Sequence, residues 1–272
     1  MPELPEVEVI RRDLQSLCKD RPHLEKFDFL RRDLRGPIPV AQILKLEGAQ
    51  ILGIHRRAKY LIFETDRGGL LSHLGMTGTW RVVPQGQERV HDHIYLHLSS
   101  GIRLGFRDPR RFGIFECVDF NDQQNNPRLS KLGPEPLGAD FDAVDFWQAL
   151  RQRTTAVKVA IMDQKLVVGV GNIYASEALF LAGIRPGTKS FRVSLDRATK
   201  LVEAIRQVLS SAIEAGGSSI SDFLQFSGEA GGYQNNHQVY GHGGQLCRKC
   251  GHEIRSQVMG GRSTFWCPVC QK

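Results

Sequence analysis

Four cysteines near the end of the sequence carry its plainest chemistry. Cys247 and Cys250 are separated by two residues, as are Cys267 and Cys270, and sixteen residues lie between the pairs. Two close pairs at that distance let two turns present four thiolates tetrahedrally to one Zn²⁺, with room for a β-hairpin between them. A redox dithiol is the competing use of such pairs. Four protein ligands leave no position for metal-bound water, so one structural zinc is expected. Residues 237–272 also hold Arg248, Lys249, Arg255, Arg262 and Lys272 against Glu253 alone. Even after the two negative charges of a tetrathiolate zinc, the module stays positive, which suits a hairpin laid against phosphates. Gly260-Gly261 suits a tight turn that would carry Arg262 at the hairpin tip.

Two more positions could do chemistry. Asn172 follows Gly169-Val170-Gly171 and precedes an apolar run. An Asn there can cap a helix and, with the N–H groups of the first turn, grip a phosphate. The chain opens Pro2-Glu3-Leu4-Pro5-Glu6-Val7-Glu8. Taken locally, Pro2 reads as a helix starter and Glu3 as a carboxylate at the positive end of a helix dipole. Cys18 and Cys117 stand apart and read as small apolar core residues.

Charge agrees with an anionic partner. Lys and Arg number 36 against 29 Asp and Glu, a formal +7, although many ordinary basic proteins share that balance. The start lacks the basic-then-apolar pattern of a secretory signal, and no run approaches the ~20 apolar residues of a membrane span. A cytoplasmic chain with reduced thiols, not a disulfide scaffold or membrane protein, is expected.

The elements that must position these residues follow from periodicity. Residues 3–19 read as a helix, with Leu4, Val7, Ile10, Leu14 and Leu17 on one stripe. From Ile43 to about Phe120 the period becomes two. Ile94, Leu96 and Leu98, then Ile102, Leu104 and Phe106, predict a hairpin with one buried and one polar face. Several such strands imply a β-sandwich or barrel. Residues 121–140 read as a linker, and helices are expected at 142–151, 156–162, 172–181 and 195–215. Residues 218–238, rich in Gly, Ser and Asn, read as a mobile loop.

Several separated motifs then match one family. The opening Pro2–Glu8, Lys59-Tyr60 after Arg56-Arg57, His73-Leu74-Gly75-Met76, and Asp108-Pro109-Arg110-Arg111-Phe112-Gly113 resemble bacterial formamidopyrimidine-DNA glycosylases. Residues 166–180 resemble that family's helix–two-turn–helix motif, and Val239-Tyr240-Gly241 leads into its zinc finger. The resemblance spans the chain. It implies an α+β protein of two domains: an N-terminal β-sandwich flanked by helices (residues 1–133), then a helix–two-turn–helix domain (134–236) with a four-cysteine zinc-finger hairpin (237–272), DNA lying in the cleft between. His237 departs from it, standing where an apolar residue is usual, as does His242, where a basic residue often follows Tyr-Gly.

The resemblance also implies a bifunctional DNA glycosylase and abasic-site lyase that works as a monomer on damaged duplex DNA and excises 8-oxoguanine and formamidopyrimidines. Pro2, Glu3, Lys59 and Arg262 fall in the catalytic set. His73, Met76, His93, Arg110, Arg111, Phe112, Lys158, Asn172 and Tyr240 fall at the DNA, with Met76, Arg110 and Phe112 as a wedge filling the gap left by a flipped base. Removal of Met1 would free the Pro2 amine, and an α-amino group titrates near roughly 7.7–8.0, so part of it is nucleophilic at neutral pH. Glu6 reads as structural or supporting. Two other readings compete: an endonuclease VIII-like enzyme for oxidised pyrimidines, against which Leu4 argues, and a non-catalytic DNA-binding zinc protein, against which Pro2-Glu3 argues.

Overall fold

The computed structural model describes residues 1–218 and 231–272, which form two compact units. The first comprises residues 1–130 with 216–218 and 231, the second 131–215 with 232–272.

The first unit begins with helix α1 (Leu4–Leu17), whose stripe of Leu4, Val7, Ile10 and Leu14 is buried. Two four-stranded antiparallel sheets make the sandwich. One runs β1 (Leu24–Phe29), β6 (Asp92–Leu98), β7 (Arg103–Arg107), β5 (Thr79–Val82); the other runs β2 (Ile51–Arg57), β3 (Tyr60–Thr65), β4 (Gly68–His73), β8 (Ile114–Val118). Trp80 is the hub of their core, its ring 5.4 Å from Phe63, 5.2 Å from Phe106 and 5.9 Å from Phe115. Its indole N–H is satisfied by Ser72 Oγ at 3.1 Å. Strand β2 is an edge, and α1 covers it: Gln15 accepts the Ile54 N–H at 2.7 Å and Arg11 donates to the Ile54 carbonyl. Unpaired edge groups are thereby removed from solvent.

The structure departs from the sequence reading in several places. Residues 40–46 are helical, a short α2 (Val40–Ile43) and a 3₁₀ turn, and strands resume only at Ile51. β1 went unread because a register shift between Leu24 and Lys26 breaks its alternation. The β6–β7 hairpin forms, but the face expected to be polar and solvated is largely covered. His93 bonds the Asp108 carbonyl, Tyr95 donates to Asp92, and Arg81 reaches Asp92 at 2.6 Å.

The second unit holds α3 (Ala143–Arg151), α4 (Val157–Ile161), α5 (Asn172–Leu181) and α6 (Leu195–Glu214), then the zinc hairpin β9 (Arg255–Met259) and β10 (Arg262–Trp266). Asp142 caps α3 by accepting two N–H groups, and Ser194 caps α6. Helix α5 is apolar nearly all round and nearly all buried, as a central helix must be. The segment read as a linker is partly pinned: Arg206 of α6 donates to the carbonyls of Pro136, Gly138 and Phe141. Within the stretch read as a mobile loop, residues 219–230 lie outside the described residues. At its two ends, Ser218 is buried and Tyr233–Asn236 form a 3₁₀ turn. No described helix is long and apolar enough to cross a membrane.

Candidate nucleic-acid interface and metal centre

At the start of α1, Pro2 and Glu3 are both buried. Glu6 fixes their backbone: one carboxylate oxygen accepts the Glu3 N–H at 2.8 Å, closing a capping box. Its other oxygen accepts the Ser218 N–H, also at 2.8 Å. Glu6 is therefore a staple between the helix start and a distant turn. With Met1 attached, the Pro2 nitrogen is a tertiary amide whose lone pair is delocalised.

Lys59 follows Ala58, which holds a positive φ of 54° in the β2–β3 turn. Arg56 steadies that turn by donating to the Ala58 carbonyl and to Glu8 of α1, both at 3.0 Å. His73 lies opposite Tyr60 in the β3–β4 ladder, rings 4.8 Å apart. Burial, with Lys59 and other cations nearby, drives the His73 imidazole down to about 4. Its Nδ1 accepts the Gly75 N–H at 3.0 Å, so the neutral ring carries its proton on Nε2, where it can donate.

The Met76 and Arg110–Phe112 loops touch through their backbones. Gly75, at φ +64°, lies so close to Phe112 that a β-carbon there would meet the Phe112 carbonyl carbon at 2.4 Å. Asp108, fully buried, stitches the loops: its carboxylate accepts the Thr77 hydroxyl at 2.8 Å and the Gly113 N–H at 2.7 Å. Thr77 Oγ1 in turn accepts the Arg110 N–H. Outside this stitching, Phe112 is 41% exposed, and the Arg110 guanidinium stacks 4.8 Å from its ring centre. Arg111 is exposed 3.7 Å from Asp33. His93 is buried beneath the loop, on the Asp108 carbonyl. Asp108 and Gly75 stood in the quoted motifs without a role, and Thr77 was not singled out in the sequence reading.

In the second unit Lys158, read as a DNA contact, is completely buried. Its ammonium donates to Asn172 Oδ1 at 2.6 Å, to Thr264 Oγ1 at 2.6 Å and to the Ser263 carbonyl at 3.2 Å. Asn172 is the first helical residue of α5, not its cap, which is Gly171. Its amide also donates to the Ser263 carbonyl at 3.0 Å. Lys158 thus ties α4, the start of α5 and the hairpin into one piece. Gly260 and Gly261, at φ +55° and +71°, make the tight turn, and Arg262 beyond it is exposed.

Tyr240 is held from behind by Glu177, another residue the sequence reading passed over. The Glu177 carboxylate accepts the N–H groups of Gln238, Val239 and Tyr240 at 2.8, 3.0 and 2.8 Å. Burial pushes this carboxyl up, against the pull of the three amides. Rings run in sequence from Tyr174 through Tyr233, His237 and Tyr240 to Phe265, each 5.4–5.8 Å from the next.

The four cysteine sulfurs all lie within 4.8 Å of one another. Tetrahedral ligands about 2.3 Å from zinc stand roughly 3.8 Å apart, and the Cys247–Cys270 and Cys250–Cys267 separations are 3.9 and 3.3 Å. The donors fit one structural Zn²⁺.

Three family models match in order along the chain. They are the formamidopyrimidine-DNA glycosylase N-terminal domain at residues 1–115, the formamidopyrimidine-DNA glycosylase H2TH domain at 132–224, and the zinc finger found in FPG and IleRS at 244–272. The chain belongs to the formamidopyrimidine-DNA glycosylase family. A formamidopyrimidine-DNA glycosylase of Bdellovibrio bacteriovorus is 57% identical over 272 residues, all of both chains. Another, from Burkholderia multivorans, is 46% identical over 277, again covering both chains fully. The crystal structure of the MutM (Fpg) protein of Thermus thermophilus matches with a TM-score of 0.89 at 40% identity, covering 99% of this chain and 98% of that one. A Lactococcus lactis Fpg variant bound to Fapy-dG-containing DNA matches at 0.90 and 38%, over all of both chains. Within this glycosylase family the departure at His237 is absorbed structurally. The ring is buried edge-on to Tyr233 and Tyr240 and, pushed down to about 4 by burial, stays neutral as an apolar ring would. His242 is exposed and bonded to Gln245.

Proposed function

We propose that the chain excises oxidised purines, 8-oxoguanine and formamidopyrimidines, from duplex DNA and then cleaves the strand, with Pro2 as nucleophile. It would do so as a monomer on nucleoid DNA in the cytoplasm. The observation that carries this reading is the start of α1. Pro2 and Glu3 are adjacent and buried, and Glu6 holds the turn that presents them. Once Met1 is removed, the proline nitrogen is a secondary amine. Its lone pair forms a bond to the sugar C1′ while the C1′–base bond breaks; the base leaves with that electron pair and takes up the proton that the proline nitrogen sheds. Glu3 protonates the ring oxygen as the C1′–O4′ bond opens, leaving an iminium ion. The iminium acidifies the 2′ hydrogen. Loss of that proton expels the 3′ phosphate, and a second elimination expels the 5′ phosphate.

The other residues divide by their surroundings. Lys59 and His73 present a cation and a neutral donor for phosphate oxygens in the first unit; Asn172 and Arg262 do so in the second. Lys158, being buried, would act through Asn172 and the hairpin. Met76, Arg110 and Phe112 would fill the place of the extruded base, the exposed Phe112 ring recovering stacking. Arg110 would choose cytosine opposite the lesion, since a guanidinium donates to cytosine acceptors and suits adenine's edge less well. The Fapy-dG in the Lactococcus lactis complex supports the choice of purine lesions.

The test is borohydride reduction during turnover, followed by peptide mapping. An adduct at Pro2 on lesion duplex, nearly absent on undamaged duplex, is expected, with Glu3→Gln binding DNA but not excising. Attachment at Lys59 or another lysine would refute the nucleophile. Faster excision of oxidised pyrimidines than of 8-oxoguanine would replace the substrate class.

A further inference from the structure

The zinc hairpin has two flanks. On one, Met259, Gly260 and Arg262 border a 190 Å³ cleft against α4. On the other, Gln257 and Met259 of β9 border a second cleft of 340 Å³, closed by Arg185, Gly187, Lys189 and Arg192. Three side chains lining it are cationic and none is acidic. Among the described residues none of the three cations has an ion-pair partner. Arg192 lies 5.7 Å over the Phe191 ring, which leaves its charge uncompensated.

The cationic wall is rigidly built. Thr188 donates its N–H to the Arg185 carbonyl, and Thr188 and Pro186 accept the N–H groups of Val157 and Lys158 at 2.8 and 3.3 Å. Ser190 adds two bonds to the Thr155 carbonyl, at 2.9 Å from its N–H and 2.8 Å from its hydroxyl. The wall therefore hangs on the first turn of α4, the helix whose Lys158 holds Asn172 and the hairpin. Arg255 shares the β9 face of Gln257 and Met259 and extends the positive edge. Like charges gathered in a concave site raise the local potential and concentrate anions there. Two arginines, a lysine and the Gln257 amide supply N–H donors that fit phosphate oxygens.

We infer that this cleft is a phosphate site for the DNA strand running past the hairpin, beyond the phosphates assigned to Asn172 and Arg262. The inference rests on the DNA reading above. Met259 borders both clefts, so the second is the next anchorage along the hairpin. A duplex ending near the lesion stops short of it, and a longer duplex reaches it.

The test uses the full, zinc-loaded chain with Arg185, Lys189 and Arg192 all changed to Ala. Affinity for lesion duplex is measured against salt on a short duplex of roughly one helical turn and a long one of about three. Each phosphate neutralised contributes about 0.9 to the slope of log K against log salt. The triple variant should lose about 2–3 of that slope on the long duplex and match wild type on the short one. An Arg185→Lys, Lys189→Arg, Arg192→Lys chain, which keeps the charges, should restore it. An unchanged slope on the long duplex overturns the inference. So does an equal fall on both lengths, which would mark a general field and not a site, or a failure of the charge-keeping chain to recover. Inorganic phosphate at constant ionic strength separates the sources: low-millimolar phosphate binding that the triple variant loses, with the long-duplex slope the same in variant and wild type, would mean the cleft takes a free small anion and the strand assignment is wrong. Loss of trapping at Pro2 with the slope difference intact would sink the repair chemistry and leave this site standing.

Discussion

Gly75→Ala would move the wedge without touching any group assigned to chemistry. The new β-carbon would stand 2.4 Å from the Phe112 carbonyl carbon, 2.6 Å from its oxygen and 2.7 Å from the Gly113 nitrogen. All three are backbone atoms, so no flexible side chain can yield. The residue also holds φ +64°, a conformation that costs an L-residue roughly 1–2 kcal/mol. Overpacking against backbone adds about 1–3 kcal/mol, for ~2–5 kcal/mol of strain together. The cheapest relief is to push the 110–113 loop away, stretching the Asp108 bonds to Gly113 and Thr77. A displacement near 1 Å can lower a rate about 100-fold. Single-turnover excision of 8-oxoguanine from duplex should therefore fall by about 10–100-fold. Cleavage at a preformed abasic site, where no base must leave the stack, should change much less. Excision at the wild-type rate would refute the wedge argument. Abasic cleavage falling as far as excision would show that the whole site had collapsed, and would refute it as well.

The remaining predictions concern acid, zinc and the buried lysine. His73 is held near 4 in the fold against roughly 6.5 unfolded. A depressed folded pKa gives stability that is complete above about 6.5 and lost as pH falls toward 4, at most about 3 kcal/mol. His237 is shifted the same way, so urea unfolding should show wild type weakening between pH 7 and 5 more than a His73→Gln/His237→Gln chain; parallel curves would contradict the assignment. Cys247→Ala should lose zinc by metal analysis, and with it most DNA binding, while the sandwich unit keeps its unfolding transition, since zinc ligation contributes roughly 10–16 kcal/mol in small fingers. Stoichiometric zinc in that variant would count against the tetrathiolate. Lys158→Met should lower DNA affinity about tenfold by freeing Asn172 and the hairpin, an unsatisfied buried acceptor costing about 1–3 kcal/mol; unchanged binding would make the lysine a packing residue only.

Much of this architecture was legible because it repeats a period or a spacing. The α1 stripe, the Leu195–Glu214 helix and the cysteine pairs each depend on residues near in sequence. β1 was not legible, since its register shift hides the alternation. The same limit applied to the site. Pro2, Asn172 and Arg262 stand in motifs, but the burial of Lys158 depends on Thr264, 106 residues away. Glu177 looked like one more polar residue in a helix until the backbone of 238–240 closed over it. Asp108 and Gly75 act by close approach of two loops, which no local pattern encodes.

The Glu6–Ser218 bond joins positions 212 residues apart, and this sets an order on synthesis. The ribosome releases the first 130 residues long before it makes the turn that completes their unit. In between comes the entire segment 131–215, which belongs to the other unit. Contacts so remote in sequence form late, after a large loop has closed. The nascent sandwich must wait, its helix start lacking one anchor, while a separate body folds out of the same chain. A nascent chain stalled after residue 130 should therefore leave Glu6 with one partner missing and the first turn of α1 loosely held. The end that is made first is among the last to be finished.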